Sequence, residues 1–287
     1  MGELKDKMIR EMQLRNFSER TQDSYINAVE GLLKHYENKS PVKIGQQDIE
    51  DYILYLLNDR KLAWNSCNVA ISGIKFFYNV TLKDRVVAFQ MPVRKTLKKL
   101  PVVYSVKEVE KVLYAHSQIK HRVMLMVAYS GGLRSSEIIR LKAEDIDSQR
   151  MLIWVREGKG KKDRYTLLSK TCLTELRYYY RSERPQNWLF PSTNPERHIH
   201  QSTLNTIFRS AKEKAGISKG AGIHTLRHSF ATHLLENGYD IRTIQKLMGH
   251  QSIKTTSIYL HIAHKPDEIQ SPMDLIRPDT DYINPWE

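Results

Sequence analysis

A chain of 287 residues is long enough for two domains of ordinary size; 40% of it is hydrophobic, which supports packed cores, yet no apolar run approaches the ~20 residues of a membrane-spanning helix. Its two cysteines, Cys67 and Cys172, exclude a disulfide framework and a four-cysteine zinc site. The net charge of +13 is unevenly spread: residues 1–92 hold 13 Lys and Arg against 12 Asp and Glu, residues 93–265 hold 31 against 14, and residues 266–287 hold 1 against 6. A segment this basic favours a polyanion partner, because neutralised phosphates release counterions. The opening stretch MGELKDKMIREM is charged throughout and lacks the apolar centre of a signal peptide, so the cytoplasm is the expected compartment.

Ser18 reads as the N-cap of a helix reaching residue 36, with Tyr25, Ala28, Val29, Leu32, Leu33 and Tyr36 at helical spacing. Pro41 and Gly45 interrupt it. A second helix is expected from about Asp48, with Ile49, Tyr52, Ile53, Leu56 and Leu57 on one face, and a third from about Ser66. Residues 1–85 therefore read as an all-helical domain. Residues 86–100 change character: after Pro92 come Arg94, Lys95, Lys98 and Lys99 with no acidic residue between them, a basic interdomain linker.

The second domain, residues 101–265, opens on a capping-box pattern at Ser105 and Glu108. Residues 123–129 are almost wholly apolar and predict a buried helix that stops at Gly131-Gly132. Arg134 follows that stop directly, and Ser135-Ser136-Glu137 starts the next helix. Residues 151–155 and 165–168 are β-like, and 158–163 between them predict a hairpin turn carrying Lys159, Lys161 and Lys162. The glycines of this turn lack a nucleotide-loop pattern. Further helices are expected near 171–181 and 202–214, with the apolar group Trp188, Leu189, Phe190 and Pro191 between them. His224, Arg227 and His228 fall at i, i+3 and i+4, one face of a helix. No HExxH glutamate or thiol cluster accompanies the histidines, so a metal is not expected, and a packing or hydrogen-bonding role is assigned to His228. Asp240 caps a helix with Ile241, Ile244, Leu247 and Met248 inward, which ends at Gly249 and delivers His250. Ser252 then starts a last helix with Tyr259 about two turns in. Residues 266–287 form an acidic tail in which Ser271-Pro272 signals a helix start.

Arginines clamp phosphate through paired N–H donors, and a tyrosine hydroxyl can attack it to form a covalent intermediate, without a metal. The three motifs SGGLRSSE, HTLRH and LMGHQSIKTTSIYLH, in this order and with Tyr259 nine residues after His250, resemble the tyrosine recombinase (phage integrase) family, most closely the Xer recombinases. The likeness runs from the first helices to about residue 264. It departs at Ile223, where proline commonly precedes the histidine.

The resemblance implies a mainly α fold with a small β-hairpin or sheet. It also implies a two-domain C-shaped clamp, in which a helical core-DNA-binding domain and an α+β catalytic domain close on DNA. Arg134, His224, Arg227, His250 and Tyr259 are implied to be catalytic, with a lysine as general acid. Lys159 is favoured for that role, Lys162 is its rival, and a merely cationic turn touching phosphates fits either. The implied chemistry is a 3′-phosphotyrosyl intermediate formed without cofactor or metal. The implied partners are a double-stranded recombination site and three further protomers, four on two duplexes. The tail is expected to dock on a neighbouring protomer; folding back over its own basic cleft, or disorder, are the alternatives. Xer-like resolution of chromosome or plasmid multimers, tied to chromosome partition and cell division, is the implied function. A type IB-like topoisomerase, a mobile-element integrase and, last, a non-catalytic DNA-binding protein are the alternatives.

Overall fold

The computed structural model describes residues 2–37, 39–82, 100–156 and 163–263; Lys159, Lys161 and Lys162, most of the basic linker (86–99) and the acidic tail lie outside the described residues. The chain divides into two compact units, residues 1–97 and 98–287.

The first unit holds α1 (Gly2–Leu14), α2 (Glu19–His35), α3 (Gln46–Asn58) and α4 (Trp64–Phe76). The charged opening stretch, read above only for what it lacks, is helical. Met8 and Met12 are buried and Leu4 packs beside them, an i, i+4, i+8 stripe that the surrounding charges obscure. Ser18 caps α2 by accepting a hydrogen bond from the Thr21 amide at 3.3 Å. α3 begins two residues before Asp48, whose carboxylate accepts from the Gly45 amide at 2.9 Å. Leu32, Ile49, Ile53, Ile74 and Phe77 fill the core between these helices. Tyr52 and Tyr78 are buried in the same core.

The second unit is helical around one small sheet. The capping box at its start is real: Ser105 N donates to Glu108 Oε2 at 2.7 Å, and Glu108 N donates to Ser105 Oγ at 3.3 Å, opening α5 (Val106–Leu113). α6 (Ile119–Ser130) is buried from Val123 to Ala128 and stops at Gly131. α7 (Ser135–Ile139) follows, with Arg134 as its N-cap residue. Three antiparallel strands come next, β1 (Ile146–Asp147), β2 (Leu152–Val155) and β3 (Arg164–Leu167), in the order β1-β2-β3. The β2–β3 register pairs Trp154 with Tyr165 and Val155 with Arg164. β1 was not foreseen, because two residues are too short to show an alternation. α8 (Lys170–Glu183), α9 (Gln201–Lys214), α10 (His224–Glu236), α11 (Ile241–Met248) and α12 (Ile253–Thr256) complete the unit. The expected class, mainly α with a small sheet, is the class observed.

Tyr259 departs from expectation locally. It lies on a 3-10 turn, Ser257–His261, just after the four-residue α12, and not two turns into an α-helix. Ile253, Thr255 and Thr256 are β-branched and Ser257 competes for backbone hydrogen bonds, so the sequence supports little α-helix there.

Candidate active site

Four backbone junctions of the second unit meet around one buried carboxylate. The stop at Gly131-Gly132 turns the chain so that Arg134 caps α7. Gly132 has φ +57, and a Cβ there would lie 2.2 Å from the Phe230 ring, so only glycine fits. Three residues on, Glu137 Oε1 accepts from Arg134 Nη1 at 2.8 Å and Oε2 accepts from the Arg134 amide at 2.8 Å. From β3, Arg164 donates Nη1 to Oε1 and Nη2 to Oε2, both at 2.8 Å, and donates Nε to the Leu247 carbonyl at 2.9 Å. Burial by itself would raise the Glu137 carboxyl, but the Arg164 hydrogen bonds and charge, with the Arg134 amide and Arg227, hold it down to about 2. It is an anion at neutral pH.

Arg227 comes from the first turn of α10 and its side chain is 3% exposed. It donates Nη1 to the Gly132 carbonyl and Nη2 to the Met248 carbonyl. Nη2 also lies 3.2 Å from His250 Nε2, and Nη1 stands 3.9 Å from Glu137 Oε2. Burial, then the nearby Arg134 charge, push this guanidinium down to about 9. It remains a cation at neutral pH, but a poorly solvated one, and an arriving anion would relieve it.

α11 ends at Gly249, φ +60, and this left-handed residue turns the chain so that His250 faces Arg227. Arginine only donates, so His250 Nε2 is the acceptor in that contact and the ring proton sits on Nδ1, 3.0 Å from Thr256 Oγ1. Burial first, then Arg227, Arg134 and Arg164, push His250 down to about 3. Arg134 Nη2 reaches the Gly249 carbonyl at 3.4 Å. Arg134, Arg227 and His250 are thus linked in one hydrogen-bonded group.

The Tyr259 hydroxyl is 3.0 Å from His228 Nδ1, and the residue is 2% exposed in a cluster with Phe230, Ile244 and Met248. Burial raises the phenol above its usual value while Arg227 and Arg134 act in the opposite direction. His228 is pushed down to about 4 by burial, His224 and Arg227, so it is neutral and its Nδ1 can accept a hydrogen bond from the phenol. The ring of His224 lies 6.2 Å from that of His228; burial, Arg227 and Arg134 lower its pKa as well.

The structure therefore gathers Arg134, Arg227 and His250 around the turn at residues 248–250, Arg227 touching the His250 ring and Arg134 reaching the Gly249 carbonyl, and it ties Tyr259 and His224 to them through His228 and through charge. Lys159 and Lys162 lie outside the described residues. Sequence reasoning missed Glu137 and Arg164; it gave His228 a packing or hydrogen-bonding role, and the structure places His228 in a hydrogen bond with the Tyr259 hydroxyl. Glu137 had been read only as a helix starter, and its three-residue offset from Arg134 was the available signal. Nothing in the pattern of β3 distinguishes Arg164. A cavity of about 830 Å³ elsewhere in this unit, lined by Lys120, His121, Trp188, Arg197 and His200, contains none of these residues. Charge convergence, and not cavity volume, locates the site. No cluster of three or more His, Cys, Asp or Glu suited to a metal occurs among the described residues.

Comparison with known proteins gives a consistent result. Residues 103–265 match the phage integrase family, and residues 4–87 match the phage integrase N-terminal SAM-like domain. A putative integrase/recombinase of Sinorhizobium fredii is 44% identical over 278 residues, which is 96% of this chain and 90% of that protein. The crystal structure of XerA recombinase is 32% identical, covers 93% of this chain and 94% of its own, and has a TM-score of 0.52. The XerH recombinase bound to a palindromic difH substrate, a post-cleavage complex, shares the fold at a TM-score of 0.69 and 21% identity, over 87% of this chain and 78% of its own.

Proposed function

The chain belongs to the phage integrase family of tyrosine recombinases, and on that premise we propose that Tyr259 opens a DNA strand by attacking the scissile phosphate. It is a DNA strand-transferring enzyme. The phenol oxygen forms the new bond to phosphorus, the bond to the 5′ oxygen breaks, and the 3′ end stays on the tyrosine. Arg134 and Arg227 neutralise charge on the non-bridging oxygens, a preorganised electrostatic role. The hairpin lysine, Lys159 with Lys162 as its rival, protonates the departing 5′ oxygen. The ester stores the bond energy, so a second strand reverses the reaction with no nucleotide triphosphate.

His250 carries a condition. Its Nε2 lone pair faces Arg227, so it donates to a phosphate oxygen only after its proton moves from Nδ1 to Nε2. A phosphate that draws Arg227 Nη2 to itself frees the ring, and the Thr256 hydroxyl, turned to donate, supports the other tautomer. For the tyrosine proton, the resemblance points to His224. The 3.0 Å contact points to His228, which we take as the acceptor. The observation that carries the whole reading is the joining of Arg134, Arg227 and His250, drawn from three distant segments, in one group whose charge acts on a buried tyrosine. Tyr259→Phe tests it: the variant should bind its site and leave no covalent adduct on a nicked duplex in denaturing gels, and an adduct from that variant would refute the assignment.

We assign residues 1–85 to core-DNA binding, 86–100 to a basic linker, 101–265 to catalysis and 266–287 to docking in cis or in trans. The partner is a duplex recombination site, with four protomers on two duplexes, and the compartment is the cytoplasm. Among the described residues no helix is long and apolar enough to cross a membrane. Xer-like resolution of chromosome or plasmid multimers is supported by the 32% identity to XerA over nearly the whole of both chains. Integration of a mobile element is the second reading, favoured by the 44% identical integrase/recombinase of Sinorhizobium fredii. Sequencing DNA ends trapped on the protein from a nicked genomic library separates the two. A single chromosomal site supports the first, and the ends of a mobile segment support the second. Relaxation of supercoils without exchange between two sites on one plasmid would instead indicate a topoisomerase.

A further inference from the structure

We propose that Arg164 is a positioning residue whose task is to saturate Glu137, so that Arg227 stays turned toward the DNA phosphate. The inference rests on the proposed cleavage chemistry and adds a residue that touches no substrate. An ionised carboxylate has about four acceptor positions. Glu137 uses all four: Oε1 accepts from Arg134 Nη1 and Arg164 Nη1, and Oε2 accepts from the Arg134 amide and Arg164 Nη2. Arg227 Nη1 stands 3.9 Å from Oε2, too far for a hydrogen bond, and binds the Gly132 carbonyl instead. Glu137 is buried, its side chain 5% exposed, and Arg164 is mostly covered, its side chain 10% exposed.

Removal of Arg164 would vacate two acceptor positions on a buried anion. Among the described residues the nearest cation not already bound to Glu137 is Arg227, and a movement of about 1 Å would bring it to hydrogen-bond distance. That movement takes it from the Gly132 carbonyl and from the phosphate position. Arg164 also fixes the turn carrying His250, through Nε to the Leu247 carbonyl. A Cβ on Gly249 would lie 2.8 Å from Arg164 Cδ, so the turn and this side chain are in van der Waals register. Lysine supplies one point charge and no fork, so it replaces neither function.

The test measures single-turnover adduct formation on a nicked duplex, and affinity for the same duplex, with the full chain. Arg164→Lys and Arg164→Gln should bind DNA as wild type does and form adduct roughly 10²-fold more slowly, the cost of a displaced catalytic group. The double variant Arg164→Gln/Glu137→Gln removes the anion that would capture Arg227 and should react about tenfold faster than Arg164→Gln alone. Residues that merely support the fold do not show such recovery. A wild-type rate for Arg164→Lys, a double variant no faster than Arg164→Gln, or a rate loss matched by an equal loss of affinity would each overturn the proposal. No adduct from the wild-type protein would overturn the cleavage reading itself, and this inference with it.

Discussion

The histidines of the site are held neutral by their surroundings, and that has a measurable sign. His228 is pushed down to about 4 and His250 to about 3, from 6.5, burial being the main cause in both. Between 6.5 and those values the unfolded chain binds protons that the folded chain does not, so stability falls as pH falls through this window. Glu137, held at about 2, loses its contribution only below the ordinary carboxylate range, so it does not mask the effect between pH 6.5 and 5. The melting temperature of the DNA-free protein should drop by several degrees from pH 7 to pH 5, each ~1 kcal/mol being worth ~2–4 °C at this size. His228→Phe should flatten the curve, and a pH-independent melting temperature in the wild-type protein would contradict the assignment. The same substitution bears on catalysis. If Nδ1 of His228 takes the tyrosine proton, His228→Phe slows adduct formation by about 10²–10⁴-fold. Single-turnover rates of the His228 and His224 variants, side by side, decide which imidazole has that task.

Two glycines decide whether the elements deliver these groups. Gly249 ends α11 in the left-handed region, and Gly132 ends the turn after α6 in the same region. A side chain at either position costs about 1–2 kcal/mol in backbone strain alone. The further consequences differ. At Gly249 an added methyl meets Arg164, 2.8 Å from its Cδ, which must shift against its own hydrogen bonds, so Gly249→Ala should lose melting temperature and cleave more slowly. At Gly132 the methyl meets the ring of Phe230 at 2.2 Å, so Gly132→Ala should lose more stability than Gly249→Ala. Thermal melts of both variants test that order, and equal melting temperatures would contradict it. Two elements escaped sequence reading, for different reasons. β1 has two residues, too few for a period to appear. The stripe of α1, built on Met8 and Met12, is interrupted by charge. The longer elements were legible: α2 from its cap and period, α6 from its apolar run and glycine stop, and α10 from the spacing of His224, Arg227 and His228.

Over the whole molecule, charge and core are apportioned separately. Each unit has its own buried cluster, one around Leu32, Ile49 and Ile53 and one around Leu125, Phe190 and Leu226. The charge falls almost entirely on residues 93–265, with 31 Lys and Arg against 14 Asp and Glu. Binding to duplex DNA should therefore weaken steeply with salt. A protein neutralising ~6–10 phosphates loses ~10³–10⁵-fold in affinity between 50 and 200 mM salt. Fluorescence anisotropy across that range measures the slope, and a loss of less than about tenfold would contradict a phosphate-dominated interface.

By itself the sequence determined the order of the longer helices and the location of the positive charge, because caps and apolar periods are local quantities; the candidate catalytic residues came from motifs that resemble a known family, with the lysine left between Lys159 and Lys162. Which imidazole meets Tyr259, and that a carboxylate and a third arginine underlie Arg134 and Arg227, were decided only by the tertiary structure. Arg164 lies 27 residues from Glu137 and 83 from Leu247, and their contacts exist only once β3, α7 and the end of α11 are packed together. A buried carboxylate with four acceptor positions is a constraint that no local spacing records, because its partners are chosen by packing.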